Sequence, residues 1–163
     1  MTAPAFLIVM GVSGSGKTTV GRALAARLGW AFHDADEHHP AENVAKMARG
    51  IPLTDADRGP WLASLCALIT RAMGAGECGV LACSALKQRY RDVLSIPGVR
   101  FVHLRGDIAL IRARMEARAH FMPVALLESQ FAALEAPLDA IVIDIEPPVD
   151  VQVEAIVAAA GLS

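Results

Sequence analysis

The run Gly11-Val12-Ser13-Gly14-Ser15-Gly16-Lys17-Thr18 satisfies every fixed position of the pattern G-x-x-x-x-G-K-[ST]. Glycines at this spacing let the backbone curl until successive N–H groups converge on one anion, which is what a polyphosphate needs. Lys17 then supplies positive charge to β- and γ-phosphate oxygens, and the Thr18 hydroxyl offers a ligand to Mg2+. Gly11 through Thr18, with Val12, Ser13, Gly14, Ser15 and Gly16 between and Thr19 directly after, form the expected nucleotide-phosphate site. The pattern does not fix the reaction. A GTPase also needs N/T-K-x-D and D-x-x-G, and neither occurs in this sequence. A dinucleotide-binding G-x-G-x-x-G fails because Thr19 stands where its third glycine belongs.

A second group lies at Asp34 and Asp36. Residues two apart in an extended segment point the same way, so both carboxylates can face one cleft. Phosphoryl transfer to an alcohol needs a metal held near the phosphates and a carboxylate near the attacking hydroxyl, and this pair could supply both. A metal site built from His33, Asp34, Asp36, His38 and His39 is the weaker alternative, because the H-E-x-x-H spacing is missing. Basic residues gather at Lys87, Arg89 and Arg91 and again at Arg112, Arg114 and Arg118. Such clusters are either solvated helix faces or a cationic rim around an anionic ligand.

The elements that must position these groups alternate between short apolar runs and longer helical periods, the pattern of an α/β domain with a parallel sheet. Strands are expected at Ala5–Met10, Trp30–His33, Gly79–Ala82, Arg100–Leu104 and Ala140–Ile145. Helices are expected at Lys17–Leu28, from Thr54 to about Met73 behind a capping box, at Leu86–Leu94, after Asp107, at Val124–Leu134 and at Val149–Ala160. A short helix is expected within the polar stretch 37–54, which holds Pro40, Gly50 and Pro52. In the helix after Asp107, Ile108, Ile111 and Met115 form the apolar stripe, with Arg112 and Glu116 more exposed.

With 163 residues, 54% of them hydrophobic, the chain suits one domain with a sizeable core. A net charge of −2 argues against a nucleic-acid or anionic-membrane partner. Ala5–Met10 is too short to span a bilayer, and no leader-like charge precedes it. The three cysteines, Cys66, Cys78 and Cys83, contain no C-x-x-C pair and point to reduced, mostly buried thiols in a cytoplasmic protein.

These residues resemble the gluconate kinases, relatives of shikimate kinase among the P-loop small-molecule kinases. The resemblance runs through GVSGSGKT (11–18), DADEHHP (34–40), NVAKM and GIPLTDADRGPWL (43–62), CSALKQRYRD (83–92), FVHLRGD (101–107) and HFMPVALLESQFAALEAP (120–137). It implies a P-loop kinase fold over residues 1–163, with a five-stranded parallel sheet of order 2-3-1-4-5. It also implies a substrate-binding insertion at about 37–60, a lid at about 114–124 and a homodimer. The implied reaction turns ATP and D-gluconate into ADP and 6-phosphogluconate. In that scheme Asp34 holds Mg2+ through water and Asp36 accepts or orients the substrate hydroxyl. Arg58 clamps the carboxylate, and Lys87 and Arg91 complete a cationic wall. Arg114 and Arg118 are the adenine-stacking and lid arginines, while His39 and His120 are motif positions without an assigned role. The chain departs from typical members at Ala35 and His38, and its lid around Arg118-Ala119-His120-Phe121 is one residue shorter. A kinase for shikimate or another small acid, and a nucleotide-binding regulator without catalysis, are the rival readings.

Overall fold

The computed structural model describes residues 3–117 and 124–163. Five strands form one sheet: β1 (Phe6–Met10), β2 (Ala31–Asp34), β3 (Gly79–Ala82), β4 (Val99–Arg105) and β5 (Ile141–Asp144). All pairings are parallel, in the order β2-β3-β1-β4-β5, as expected. The helices are α1 (Lys17–Leu28), α2 (Ala41–Ala48), α3 (Asp55–Gly74), α4 (Gln88–Leu94), α5 (Ile108–Ala117), α6 (Val124–Ala133) and α7 (Val149–Ala159), with a 3-10 turn at Ala35–His38.

Both faces of the sheet are covered, which is why β1 and β3 read as unbroken apolar runs and are buried throughout. Leu7 and Val9 point into one core, with Val20 and Leu24 of α1 and Ile156 of α7. Phe6, Ile8 and Met10 point into the other, with Trp61, Leu65 and Ile69 of α3. The edge strand β5 instead alternates buried and exposed residues. Of the three thiols, all free, only Cys83 is fully buried.

Register decides where the chemistry can sit. Val9 of β1 and Asp34 of β2 are both level with Ala82 of β3. The loop after β1 and the acidic turn after β2 therefore leave the sheet on the same carboxyl-end rim, where open α/β sheets bind ligands.

Element ends follow local chemistry. Gly29 ends α1 in the left-handed region, its N–H closing on Ala25 and Ala26 carbonyls. At α3 the capping box is formed: Thr54 Oγ1 accepts from Asp57 N at 3.1 Å, and Asp57 Oδ2 accepts from Thr54 N at 2.9 Å. Helix α4 starts two residues later than the expected Leu86, because Ala85 takes a φ of 44° that breaks the helical path.

Sheet packing leaves no space at Gly79, where an added Cβ would lie 2.5 Å from Cζ of the fully buried Phe6. Gly79→Ala should therefore lower the unfolding free energy by about 1–3 kcal/mol, the usual range for overpacking. Urea titration measures this directly, and wild-type stability would mean that the Phe6 ring can move aside.

Candidate active site

The glycine-rich loop is shaped for close approach. Gly14 and Gly16 have φ of 80° and 96°, and a Cβ on Gly14 would meet Met115 Cε at 2.9 Å. Gly16 is the residue before α1, so the loop delivers its amides to a helix N-terminus with its partial positive charge. Ser15 Oγ is buried and has no hydrogen-bond partner among the described residues. Lys17 folds back over the loop and donates from Nζ to Gly11 O at 3.0 Å and Val12 O at 2.9 Å. Burial pushes its pKa down, while Asp36, Cys83 and Asp34 pull it back up.

A cleft of about 150 Å³ brings together Ser13, Lys17, Thr18, Asp34, Asp36, Cys83, Ser84 and Gln130. The phosphate loop and the acidic pair thus share one space. Their side chains differ: Asp34 is half-buried and accepts from Asp36 N at 3.0 Å, which fixes the turn, whereas Asp36 is exposed. Among the described residues no group of three or more His, Cys, Asp or Glu side chains could hold a metal. The alternative metal site at 33–39 is therefore not formed. Gln130 enters the cleft from α6, and its Oε1 accepts from Ser13 N at 2.6 Å.

Next to the acidic turn lies a packed aromatic and amide network. The His39 ring stacks on Trp61 with centroids 4.4 Å apart, and Trp61 Nε1 donates to Ala35 O at 2.7 Å. Asn43 is buried and donates from Nδ2 to Asp57 O at 2.9 Å. A carbonyl only accepts, so the amide nitrogen must face it. That same Nδ2 lies 3.2 Å from His39 Nδ1, which makes Nδ1 the acceptor and puts the ring proton on Nε2. Burial lowers the His39 pKa, with Asp36 opposing and Arg58 assisting, which favours the neutral ring.

The cationic residues are organised around Asp55. Its Oδ1 accepts from Tyr90 Oη at 2.5 Å, its Oδ2 from Arg89 Nη1 at 2.6 Å, and Lys87 Nζ stands 3.7 Å away. Arg58 donates from Nη1 to Leu53 O at 3.0 Å and Tyr90 Oη at 3.2 Å, and its guanidinium lies over the Tyr90 ring. Asp55 and Tyr90 thus hold Arg58 and Lys87 side by side. Sequence reasoning saw Asp55 only as a helix-start residue, and no local spacing marks the partner 35 residues away.

Arg91 stands apart from the expected wall. It is buried and donates to Ala85 O at 2.7 Å, Leu86 O at 3.1 Å, Gln88 Oε1 at 3.0 Å and Glu135 O at 2.5 Å. Its guanidinium here braces the strained turn at Ala85 and the loop that carries Lys87, instead of facing the cleft. Arg114 lies away from the cationic cluster, with Nη2 donating to Glu146 O at 3.4 Å in the loop after β5. Thr18 and Thr19 are exposed at the start of α1. Arg118, His120 and most of the expected lid lie outside the described residues.

The network gives two expected outcomes. Nitrogen NMR should show His39 with an unprotonated Nδ1 and a protonated Nε2, and Asn43→Leu should let the ring populate both tautomers; a protonated Nδ1 in the wild type contradicts the assignment. The second concerns acid. Hydrogen bonds from Lys46, then from the Thr54 backbone, depress the Asp57 carboxyl from its ordinary 3.8 to about 2. A depressed carboxyl favours the folded state above its ordinary value and loses that contribution as pH falls through the folded one. Melting temperature should therefore drop between pH 3.8 and about 2, and Asp57→Asn should flatten that part of the profile. An unchanged slope would mean the pair adds nothing to acid stability.

Comparison with known proteins identifies related chains. The family model for shikimate kinase matches residues 13–137. The gluconokinase of Gluconobacter oxydans is 51% identical, over 83% of this chain and 78% of its own. The thermosensitive gluconokinase of Escherichia coli is 53% identical, over 80% of this chain and 71% of its own. The crystal structure of a gluconokinase from Sinorhizobium meliloti superposes with a TM-score of 0.86 at 41% identity, covering 99% of this chain and 94% of that one.

Proposed function

The chain belongs to the gluconokinase family, within the shikimate kinase type of P-loop domain, and from that membership we propose that it transfers the γ-phosphoryl group of ATP to the C6 hydroxyl of D-gluconate. The observation that carries the reading is the single cleft shared by Lys17, Thr18, Asp34 and Asp36. A polyphosphate fits the loop on two counts: Gly14 and Gly16 hold the left-handed backbone that curls its amides inward, and the buried Ser15 hydroxyl has a hydrogen bond still to make. Thr18 and Asp34, on the two walls of the cleft, are the residues to hold Mg2+, which when bound neutralises phosphate charge.

The roles of the residues follow. Amides of Gly11 through Thr19 hold the phosphates, and Lys17 neutralises charge that moves onto the β,γ-bridging oxygen as that bond breaks. Asp36 takes the proton of the C6 hydroxyl while its oxygen bonds to the γ-phosphorus, and ADP leaves. At the other end Arg58, with Lys87, binds the carboxylate, and Arg91 acts by fixing the loop that bears Lys87. His39 offers its Nε2–H to a substrate hydroxyl. Arg114 stacks on adenine beside the loop after β5. One kinase domain carries a substrate-binding insertion at about 37–60 and a lid at about 114–124, and Arg118 and His120 complete the scheme on the lid side. Free thiols at all three cysteines fit a cytoplasmic setting, and we propose a homodimer as the working form.

Two substitutions test the assignment. Lys17→Ala should lower kcat by about a hundredfold or more, and near-wild-type turnover at saturating ATP would remove Lys17 from the mechanism. Arg58→Ala should lower kcat/KM for gluconate by about 2–4 kcal/mol while KM for ATP changes little. Arg58→Lys should recover only part, because an ammonium lacks the planar fork. If the preference for gluconate over neutral sorbitol is unchanged in Arg58→Ala, the carboxylate is held elsewhere.

A further inference from the structure

Gln130 is a glutamine on α6 whose Oε1 accepts a hydrogen bond from Ser13 N at 2.6 Å, across the cleft that also holds Lys17, Asp34 and Asp36. Ser13 belongs to the phosphate loop and lines the same cleft as the acidic pair. The phosphate nearest the acceptor carboxylate Asp36 is the one to be transferred, so the Ser13 amide belongs to the γ-phosphoryl group. One N–H serves one strong acceptor. A phosphoryl oxygen arriving at Ser13 therefore displaces Oε1, and two oxygens facing each other there would repel.

A glutamine solves this with its own chemistry. Its terminal amide carries an acceptor on one side and two donors on the other, and a half-turn exchanges them with almost no change in shape. Among the described residues Nε2 donates to nothing, so both of its N–H groups are available for the turn. A glutamate could not do this, because both faces of a carboxylate accept.

The segment just past the end of α6 gives the side chain a fixed base. Glu135 N donates to Leu86 O at 2.8 Å, and Gln88 N donates to Glu135 Oε1 at 2.6 Å. Gln130 thus reaches the phosphate loop from a helix stapled to the loop bearing Lys87. Sequence reading gave it no role, since a glutamine in an amphipathic helix is ordinarily a surface residue.

We propose that Gln130 is a catalytic residue: when a γ-phosphoryl oxygen takes the Ser13 N–H, the side-chain amide turns over and Nε2 donates to the same phosphoryl group. This rests on the kinase reading above and adds to it a donor that stabilises the group in flight. Gln130 then distinguishes a triphosphate from a diphosphate, because only the former reaches it.

The test is calorimetric affinity for ATP and for ADP in wild type, Gln130→Glu and Gln130→Ala, with kcat on gluconate alongside. In Gln130→Glu the fixed negative charge should weaken ATP by about tenfold or more and ADP by less than about threefold. In Gln130→Ala ATP affinity should stay within about threefold while kcat falls by about tenfold or more, as expected when one donor to the developing charge is lost. Retained ADP affinity also shows that each variant is folded. Equal weakening of ATP and ADP in Gln130→Glu, or wild-type kcat in Gln130→Ala, would overturn the proposal. If wild type binds ATP but leaves gluconate untouched, the substrate reading fails, and the ATP-to-ADP contrast alone then upholds or overturns Gln130.

Discussion

The site is arranged around one partly buried ammonium at the phosphate loop. Lys17 loses solvation where it sits, which pushes its pKa down, and the protein must compensate to keep an ammonium there. Two carbonyls of the phosphate loop accept from it, and the carboxylates of Asp36 and Asp34 act on it across the cleft. Those carboxylates can be there only because β2 pairs with β3 in the register that sets Asp34 level with Ala82, next to the end of β1. Sheet order, register and the acidic turn together set two aspartates facing one lysine.

The second charged centre works in the opposite sense. Arg58, Lys87 and Arg89 would repel one another if left alone, and Asp55 with Tyr90 holds them together. Asp55 is itself held ionised, chiefly by the Tyr90 hydroxyl and also by the surrounding cations. Between the two centres lies the His39–Asn43–Asp57 chain, anchored by the capping box of α3 and by Lys46. In the proposed function this layout offers a polyhydroxy acid cations for its carboxylate at one end, hydrogen-bonding groups in the middle and the phosphate loop at the other.

Much of this was legible in the sequence. The strands and most helices matched, because apolar runs and helical periods are local signals, as is the Thr54–Asp57 cap. Lys17, Thr18, Asp34 and Asp36 were identified from motif and spacing, and the structure does bring them together, although Asp36 lies in the 3-10 turn capped by Asp34 and not in the extended segment expected. What stayed hidden depends on long-range packing. Asp55 is tied to Tyr90 through the approach of α3 to α4, and Gln130 reaches Ser13 from near the other end of the chain. Arg91 shows the limit from the other direction: its charge suggested a substrate wall, and its burial against the carbonyls of a strained turn gives it a bracing role. Formal charge can be read from a sequence, but whether a guanidinium faces in or out cannot.

The most direct check on the central claim is the identity of the product. Enzyme, ATP, Mg2+ and D-gluconate can be followed by phosphorus NMR, with proton correlation to place the new ester. In the proposed arrangement, with the carboxylate at Arg58 and the far hydroxyl beside Asp36 and Lys17, a single phosphomonoester should form, on C6, with one ADP released for each. Phosphate on another carbon, ATP consumed without any phosphorylated gluconate, or equal transfer to shikimate would contradict the account.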